Sequence, residues 1–262
     1  MRRAMRISDS MPRPVVMVHG AFCGGWVFER FKEPFEAAGH KVITPDLPAH
    51  AAGGGSVAGL SMTDYARAVA EVCQACKTPP ILVGHSMGGL VAQLAAARTS
   101  VAGLVLLAPS PPWGVHGASM EEAVSAVSLY ALGPYWLQTI DPDYALAKLY
   151  SLDRMERADR KRVFERMTPE SGRALWQTLN WWLDPFMTTL VPPGAISAPV
   201  LAIAGGRDII HQPATVKQTA ARLSGDFHVM REMSHWLPGE PGWEEVAQLC
   251  LDWMPAAKKA AA

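Results

Sequence analysis

The chain has 262 residues, of which 49% are hydrophobic and 18% are charged, and its formal net charge is zero. This composition is typical of a globular protein, large enough for one big domain or a domain with an insertion. The balanced charge argues against a protein that binds nucleic acid or an anionic membrane surface. No apolar stretch approaches the roughly 20 residues that a membrane span requires, so we expect none.

The N-terminus and the cysteines bear on location and on metal binding. The first six residues include three arginines, but residues 7–10 are Ile-Ser-Asp-Ser and not an apolar signal region, so we expect a cytoplasmic protein. Cys73-x-x-Cys76 has no second cysteine or histidine pair to complete a zinc site. The chain also lacks the glycine-rich motifs that bind nucleotides. We therefore predict no metal and no cofactor.

Short apolar runs that end in turn residues alternate with helix-like segments along the chain. Six runs predict strands, at residues 15–18, 41–44, 81–83, 101–107, 200–204 and 227–230. Five segments predict helices, at residues 26–38, 62–76, 88–98, 213–223 and 243–253. Continuous apolar strands separated by helices are typical of a parallel sheet covered on both faces. The predicted fold is therefore an α/β, doubly wound, mainly parallel sheet of about six strands.

Residues 113–195 break this alternation. No clear strand is visible there, and helical fragments are predicted at residues 119–131, 144–149, 154–167 and 170–182. The segment also holds five of the nine tryptophans. We predict a helical lid at 113–195, inserted into a core formed by 1–112 and 196–262. At least two lid tryptophans are expected to line an apolar pocket, with Trp113, Trp136 and Trp181 as candidates.

The most informative motif is Gly84-His85-Ser86-Met87-Gly88, which lies between an apolar run and a helix-forming run. At a sharp strand-to-helix turn, small residues two positions either side of the serine let strand and helix pack closely. The turn lifts the hydroxyl out of the sheet, and the helix N-terminus favours developing negative charge. Ser86 is the candidate nucleophile, and it needs a base and an acid from elsewhere in the chain.

Candidates for the base and the acid follow from the geometry of parallel sheets, which place functional side chains just beyond the carboxyl ends of strands. His235 follows the last predicted strand by five residues and precedes the last predicted helix, so it is the predicted base. Asp208 comes just after the 200–204 run and two glycines. It is the predicted acid that orients the imidazole and stabilises its protonated form.

The order Ser86, Asp208, His235 resembles that of the α/β-hydrolase superfamily. Val18-His19-Gly20-Ala21, Gly206-Arg207-Asp208 and Ser234-His235-Trp236 match it as well, so the resemblance covers nearly the whole chain. Residues 18–26 are most similar to the branch of small esterases and hydroxynitrile lyases. The plant cyanohydrin lyases of that branch carry a lysine directly after the catalytic histidine. This chain has Trp236 there, which argues against lyase activity.

The resemblance also implies an oxyanion hole and a substrate pocket. Its two donors would be the backbone N–H groups of Met87 and Ala21, with Phe22 as the alternative to Ala21. Further candidates for contact with the substrate are Phe22, Cys23, His85 and Trp236.

The predicted function is hydrolysis of a carboxylic ester of a small, largely apolar substrate through an acyl-enzyme. The same triad would also serve to cleave a C–C bond, a thioester or a lactone, because fold and triad do not determine the substrate. A ligand receptor that retains a hydrolase fold is the alternative from another class. The expected partner is a small-molecule substrate and not nucleic acid, and the sequence does not indicate an oligomeric state.

Overall fold

A computed structural model describes residues 12–117 and 132–254. Its strands are β1 (Val15–Val18), β2 (Val42–Ile43), β3 (Ile81–His85), β4 (Gly103–Leu107), β5 (Thr139–Ile140), β6 (Glu170–Ser171), β7 (Val200–Gly205) and β8 (Asp226–Met230). Six of them form one sheet in the order β2-β1-β3-β4-β7-β8, and every neighbouring pair is parallel. Each lies within or overlaps a predicted run, so the predicted fold class is confirmed.

The α-helices of five or more residues in the described ranges are α1 (Glu33–Ala37), α2 (Met62–Gln74), α3 (Met87–Ala96), α4 (Arg157–Phe164), α5 (Gly172–Leu179), α6 (Pro213–Arg222) and α7 (Trp243–Trp253). At the predicted helix 144–149 the chain forms a single α-helical turn, Tyr144–Leu146, followed by a π-helix, Ala147–Ser151. One prediction needs correction, because residues 26–38 do not form a single helix. A 3-10 turn at Gly25–Phe28 comes first, and α1 starts only at Glu33. Pro34 lies in the first turn of α1. Proline lacks the N–H that a helix interior requires, but the N–H groups of a first turn have no acceptor within the helix, so proline is tolerated there.

The sheet separates two hydrophobic cores. Successive strand side chains point to opposite faces. Val16, Leu82 and Leu104 pack in the core shared with α2, α3 and α6, whereas Val83 and Val105 pack in the core shared with α1 and α7. All five are fully buried. Because both faces are covered, the loops at the carboxyl edge of the sheet are where a site can form.

Residues 132–195 are a series of short elements. The expectation of no strand there was wrong, because β5 and β6 pair antiparallel, with Thr139 opposite Ser171. The predicted helix at 170–182 is shortened for the same reason. The Ser171 hydroxyl accepts a hydrogen bond from the Ala174 N–H, which begins α5 after the strand. The predicted helix at 119–131 lies outside the described residues.

No helix within residues 12–117 and 132–254 is both long and apolar enough to cross a bilayer. In the same ranges, no group of three or more histidine, cysteine, aspartate or glutamate side chains is arranged to hold a metal ion. Cys73 and Cys76, which form the C-x-x-C pair, are both free thiols on or next to α2.

Candidate active site

Ser86 lies at the turn between β3 and α3 in an unusual backbone conformation, with φ 55° and ψ −126°. A non-glycine residue in such a region costs of order 1–3 kcal/mol and persists where its surroundings hold it. Here the Ser86 N–H donates to the Leu107 carbonyl at 3.0 Å, and the Ser86 carbonyl accepts from Ser110 N–H at 2.9 Å. The strained turn is therefore held by the end of β4 and the loop that follows it.

The two glycines of the motif are required by close packing. A Cβ on Gly84 would overlap the carbonyl oxygen of Gly88, and a Cβ on Gly88 would overlap that of His19. No larger residue fits at either position without moving backbone. The G-x-S-x-G pattern thus reflects how tightly β3, α3 and the loop after β1 pack around Ser86.

Ser86, His235 and Asp208 form a continuous hydrogen-bonded chain. The Ser86 Oγ lies 2.9 Å from His235 Nε2, and His235 Nδ1 lies 2.8 Å from Asp208 Oδ2. The other carboxylate oxygen of Asp208 accepts the N–H groups of Ile210 and His211 at 2.8 and 3.0 Å. With the carboxylate held in this way, His235 Nδ1–H donates to Asp208, which leaves Nε2 to accept the proton of Ser86.

Charge inside the site favours a protonated His235 opposite an ionised Asp208. Burial by itself would lower the pKa of His235, but the charge and hydrogen bond of Asp208 outweigh it, and the pKa is raised above 6.5. Burial would likewise raise the pKa of Asp208, but His235 outweighs it and the pKa is lowered. The pair can therefore take up a proton on His235 while Asp208 stays charged.

Two further histidines pack against His235 without sharing its role. The rings of His85 and His211 lie 5.2 and 5.3 Å from that of His235. Burial and the nearby His235 lower the pKa of each to about 3. His85 Nε2–H donates to the His235 carbonyl at 2.9 Å, and His211 is hydrogen-bonded to the Ser110 hydroxyl at 3.0 Å. Both rings stay neutral and hold the surroundings of His235.

The loop after β1 passes directly against the serine. A Cβ on Gly20 would lie 2.9 Å from the Cβ of Ser86, so only glycine permits this approach. Ala21 and Met87 line the same cavity as Ser86. The Phe22 N–H donates to the buried carboxylate of Glu170 at 3.3 Å. Since Phe22 is engaged there, the geometry favours Ala21 over Phe22 as an oxyanion donor.

A cavity of about 400 Å³ opens at Ser86. Much of its wall beyond the serine is apolar and comes from residues 132–195: Ile140, Pro142, Leu146, Ala147, Met167, Leu175 and Leu179. Among the described residues that line it there is no lysine or arginine. The lining also includes the carboxylates of Asp141 and Asp143, so the charged side chains of the described wall other than histidine are acidic.

Four of the residues predicted to contact the substrate lie in the cavity wall: Phe22, Cys23, His85 and Trp236. Burial raises the pKa of the Cys23 thiol, so Cys23 contributes an uncharged surface.

Contrary to prediction, Trp113, Trp136 and Trp181 do not line the cavity. They pack on other aromatic rings instead. Trp181 meets Trp113 edge-on at 5.3 Å, and Trp136 lies 6.4 Å from Trp176. Aromatic rings are stabilised by packing on one another, and the sequence does not show which rings will pair.

Two buried glutamates near the site were missed by sequence reasoning. Glu240 accepts the Ser234 N–H at 2.6 Å and so holds the loop that carries His235. Burial raises the pKa of Glu240 to about 7. Glu170 binds Phe22, His50 and Tyr65. Glu240 follows His235 closely in the chain, which is a usable signal, but nothing in the sequence connects Glu170 with residues 105 or more positions away.

Comparison with known proteins places this chain in a family. A model described as "Alpha/beta hydrolase family" matches residues 15–249. Salicylic acid-binding protein 2 of Nicotiana tabacum is 37% identical over 109 residues, 40% of this chain and 42% of that protein. The matched region thus spans less than half of the tobacco protein. Methylesterase 7 of Arabidopsis thaliana is 28% identical over 189 residues, 64% of this chain and 72% of that protein.

Solved structures show the same fold. A methylesterase from Arabidopsis superposes with a TM-score of 0.70 at 18% identity, covering 92% of this chain and 98% of the other. Tomato methylketone synthase I, crystallised with 2-tridecanone, gives a TM-score of 0.72 at 18% identity, covering 93% and 98%. With a family model that spans most of its length, the chain belongs to the alpha/beta hydrolase family.

Proposed function

We propose that the protein hydrolyses carboxylic esters of small, largely apolar substrates through an acyl-enzyme on Ser86. The observation that carries the proposal is the hydrogen-bonded chain from Ser86 through His235 to Asp208, with separations of 2.9 and 2.8 Å. A serine with such a base at hydrogen-bond distance, and an acid that orients the base, is equipped for nucleophilic attack.

In the first half of the reaction, neutral His235 takes the Ser86 proton as the hydroxyl attacks the ester carbon. The negative charge moves to the former carbonyl oxygen, which binds the N–H groups of Met87 and Ala21. Met87 is the first residue of α3, so the positive end of the helix dipole adds to this stabilisation. Protonated His235 then gives its proton to the alkoxide leaving group, and the acyl-enzyme remains.

In the second half, His235 removes a proton from water, which attacks the acyl carbon. The bond between Ser86 Oγ and the acyl carbon then breaks, protonated His235 returns its proton to Oγ, and the acid product leaves. Asp208 stays ionised throughout, since its lowered pKa keeps it charged while the adjacent imidazole is protonated.

The choice of an ester rests on the cavity and on the relatives. The cavity wall is largely apolar, with the carboxylates of Asp141 and Asp143 and no lysine or arginine among its described lining residues. Methylesterase 7 and the polyneuridine aldehyde esterase of Rauvolfia serpentina are both named as esterases, and the second is 35% identical over 93 residues, 30% of this chain and 31% of that protein. Thioesters, lactones and activated C–C bonds remain alternatives for the same triad, and rates on matched panels of these substrates would separate them.

Residues 113–195 are proposed to act as a lid over the core formed by 1–112 and 196–262. The support is that described residues of this segment, among them Ile140, Leu146 and Leu175, line the same cavity as Ser86. A lid that supplies the apolar wall would select the substrate while the core supplies the chemistry.

The deciding experiment replaces the nucleophile. Ser86→Ala is expected to lower kcat on a chromogenic short-chain ester by about 10⁶-fold, because serine and histidine act as a unit in such sites. A fluorophosphonate probe should add one mass increment to the wild type and none to the variant. The matched control is Ser56→Ala, at an exposed loop serine, which should retain full activity and labelling. Retained turnover or labelling by Ser86→Ala would contradict the proposal.

A further inference from the structure

A second group of buried polar side chains surrounds the carboxylate of Glu170 and contacts the loop after β1 at Phe22. Glu170 is fully buried in β6. Its Oε1 accepts the Tyr65 hydroxyl and the Ser171 N–H, each at 2.7 Å. Its Oε2 accepts His50 Nε2–H at 3.0 Å and the Phe22 N–H at 3.3 Å. Four donors therefore surround one carboxylate, and one of them belongs to the loop that passes Ser86.

The carboxylate is charged and paired with a protonated histidine. Besides Glu170, the other ring nitrogen of His50 faces the Pro48 carbonyl at 3.1 Å, and only an imidazolium can donate to both acceptors. Burial opposes the charge on each partner, but Glu170 raises the pKa of His50 and His50 lowers that of Glu170. The negative charge needed to hold the Phe22 N–H is thus maintained inside the protein.

The peptide group on the other side of Ala21 is held by His19. The Leu47 N–H donates to His19 Nε2 at 2.9 Å, so the remaining ring nitrogen, Nδ1, carries the proton and donates to the Gly20 carbonyl at 2.9 Å. This carbonyl belongs to the same planar peptide group as the Ala21 N–H, and in a trans peptide the two point in opposite directions. Fixing the carbonyl therefore fixes the direction of the Ala21 N–H.

The peptide groups that follow Ala21 are held by residues 168–170. The Phe22 N–H donates to Glu170, and the Phe22 carbonyl accepts the Thr168 N–H at 2.9 Å. Phe22 adopts a positive φ of 64°, a conformation that a residue with a side chain rarely takes without such restraint. His19 and Glu170 thus restrain Ala21 from both sides.

We propose that Glu170 is a positioning residue for the oxyanion loop: by binding the Phe22 N–H, it fixes the Ala21 N–H toward the developing oxyanion. This inference rests on the proposed function, because it gives Ala21 the role of oxyanion donor. Because Glu170 lies within residues 132–195, this role would make that segment part of the support for the oxyanion loop as well as of the cavity wall. Loss of Glu170 should weaken stabilisation of the transition state more than binding of the ester, because only the transition state carries the developing oxyanion.

The experiment is Glu170→Gln. Glutamine keeps the shape of the side chain but replaces one carboxylate oxygen with an NH₂ group, which cannot accept the hydrogen bonds that this oxygen accepts. We expect kcat to fall 10- to 100-fold, the range below the loss of a whole oxyanion donor, with KM changed less than twofold. Affinity for a trifluoromethyl ketone, which forms an oxyanion on Ser86, should fall by a similar factor. Affinity for the corresponding alcohol, which forms none, should not change.

Asp184→Asn is the matched control. Asp184 is a buried carboxylate of the same segment that accepts the N–H groups of Phe186 and Thr188 at 3.0 and 2.8 Å, outside the cavity wall. Its loss should lower the melting temperature while kcat and the ketone affinity stay at wild-type values. If Glu170→Gln does the same, Glu170 is a structural residue and the inference is wrong.

Glu170→Asp covers the case in which the glutamine variant does not fold. It keeps the charge beside His50 but withdraws the carboxylate by one methylene from the Phe22 N–H, so the same fall in kcat is expected. The two proposals fail separately. Wild-type kcat in a folded Glu170 variant overturns the positioning role alone, whereas turnover by Ser86→Ala overturns the proposed function.

Discussion

The sheet core and residues 132–195 are built in contrasting ways. In the core, the candidate triad residues follow strands or strand-end loops and are anchored by backbone hydrogen bonds, as Asp208 is by two N–H groups. Residues 132–195 consist of short elements that leave large apolar side chains in solvent, with Leu137 69% and Phe186 86% exposed. A region that fixes reacting atoms needs rigid supports, whereas a region that shapes a cavity needs apolar surface.

The largest expected difference between the regions concerns Asp208. Asp208→Asn should lower kcat/KM by about 10⁴-fold, or about 5 kcal/mol, because the amide no longer selects the productive tautomer of His235 or stabilises its charge. Activity requires neutral His235, so in the wild type it falls as the pH drops below a pKa raised above 6.5. Without the aspartate charge, burial dominates and this acidic limb should move to lower pH.

A pH–rate profile of both enzymes measures this shift. Asp226→Asn is the control, at an exposed carboxylate of β8 that binds Trp253. It should leave both the rate and the profile unchanged. An acidic limb that stays in place in Asp208→Asn would show that the aspartate charge does not set the pKa of His235.

The second prediction tests the tight packing of the core around Ser86. Gly88→Ala should destabilise the protein by about 3 kcal/mol or more, because the new methyl group would overlap the His19 carbonyl. Gly53→Ala places a methyl group in open space at φ 75°, so only the backbone conformation is penalised, by about 1–2 kcal/mol. Denaturant unfolding compares the two. Equal losses would contradict the claim that packing demands glycine at position 88.

The smallest effect is expected within residues 132–195. Leu179 lines the cavity, so Leu179→Ala should enlarge the cavity. For esters longer by one or two carbons, kcat/KM should then rise about fourfold per added methylene relative to wild type. Trp136→Phe, at a residue outside the wall, should leave the chain-length series within twofold. A chromogenic ester series measures both. If the tryptophan changes the preference and the leucine does not, the cavity wall is wrongly assigned.

Much of the fold could be predicted because strand signals are local. Five of the six apolar runs are followed within two residues by glycine or proline, and the weaker run at 227–230 is followed by Arg231. The runs became β1, β2, β3, β4, β7 and β8. The secondary structure of residues 132–195 was harder to predict. Strands β5 and β6 have two residues each, too few to show alternation, and they exist because they pair with each other. The tryptophans were misplaced because composition does not tell which ring packs on which.

The sequence by itself determined the fold class and pointed to Ser86, Asp208 and His235, because turn chemistry and strand-end geometry are encoded within a few residues. Only the tertiary structure showed that the Phe22 N–H donates to Glu170, and which side chains line the cavity. It also revealed Glu170, whose partners lie far away along the chain. A buried carboxylate requires donors that only the folded chain can bring together, and no local pattern specifies them.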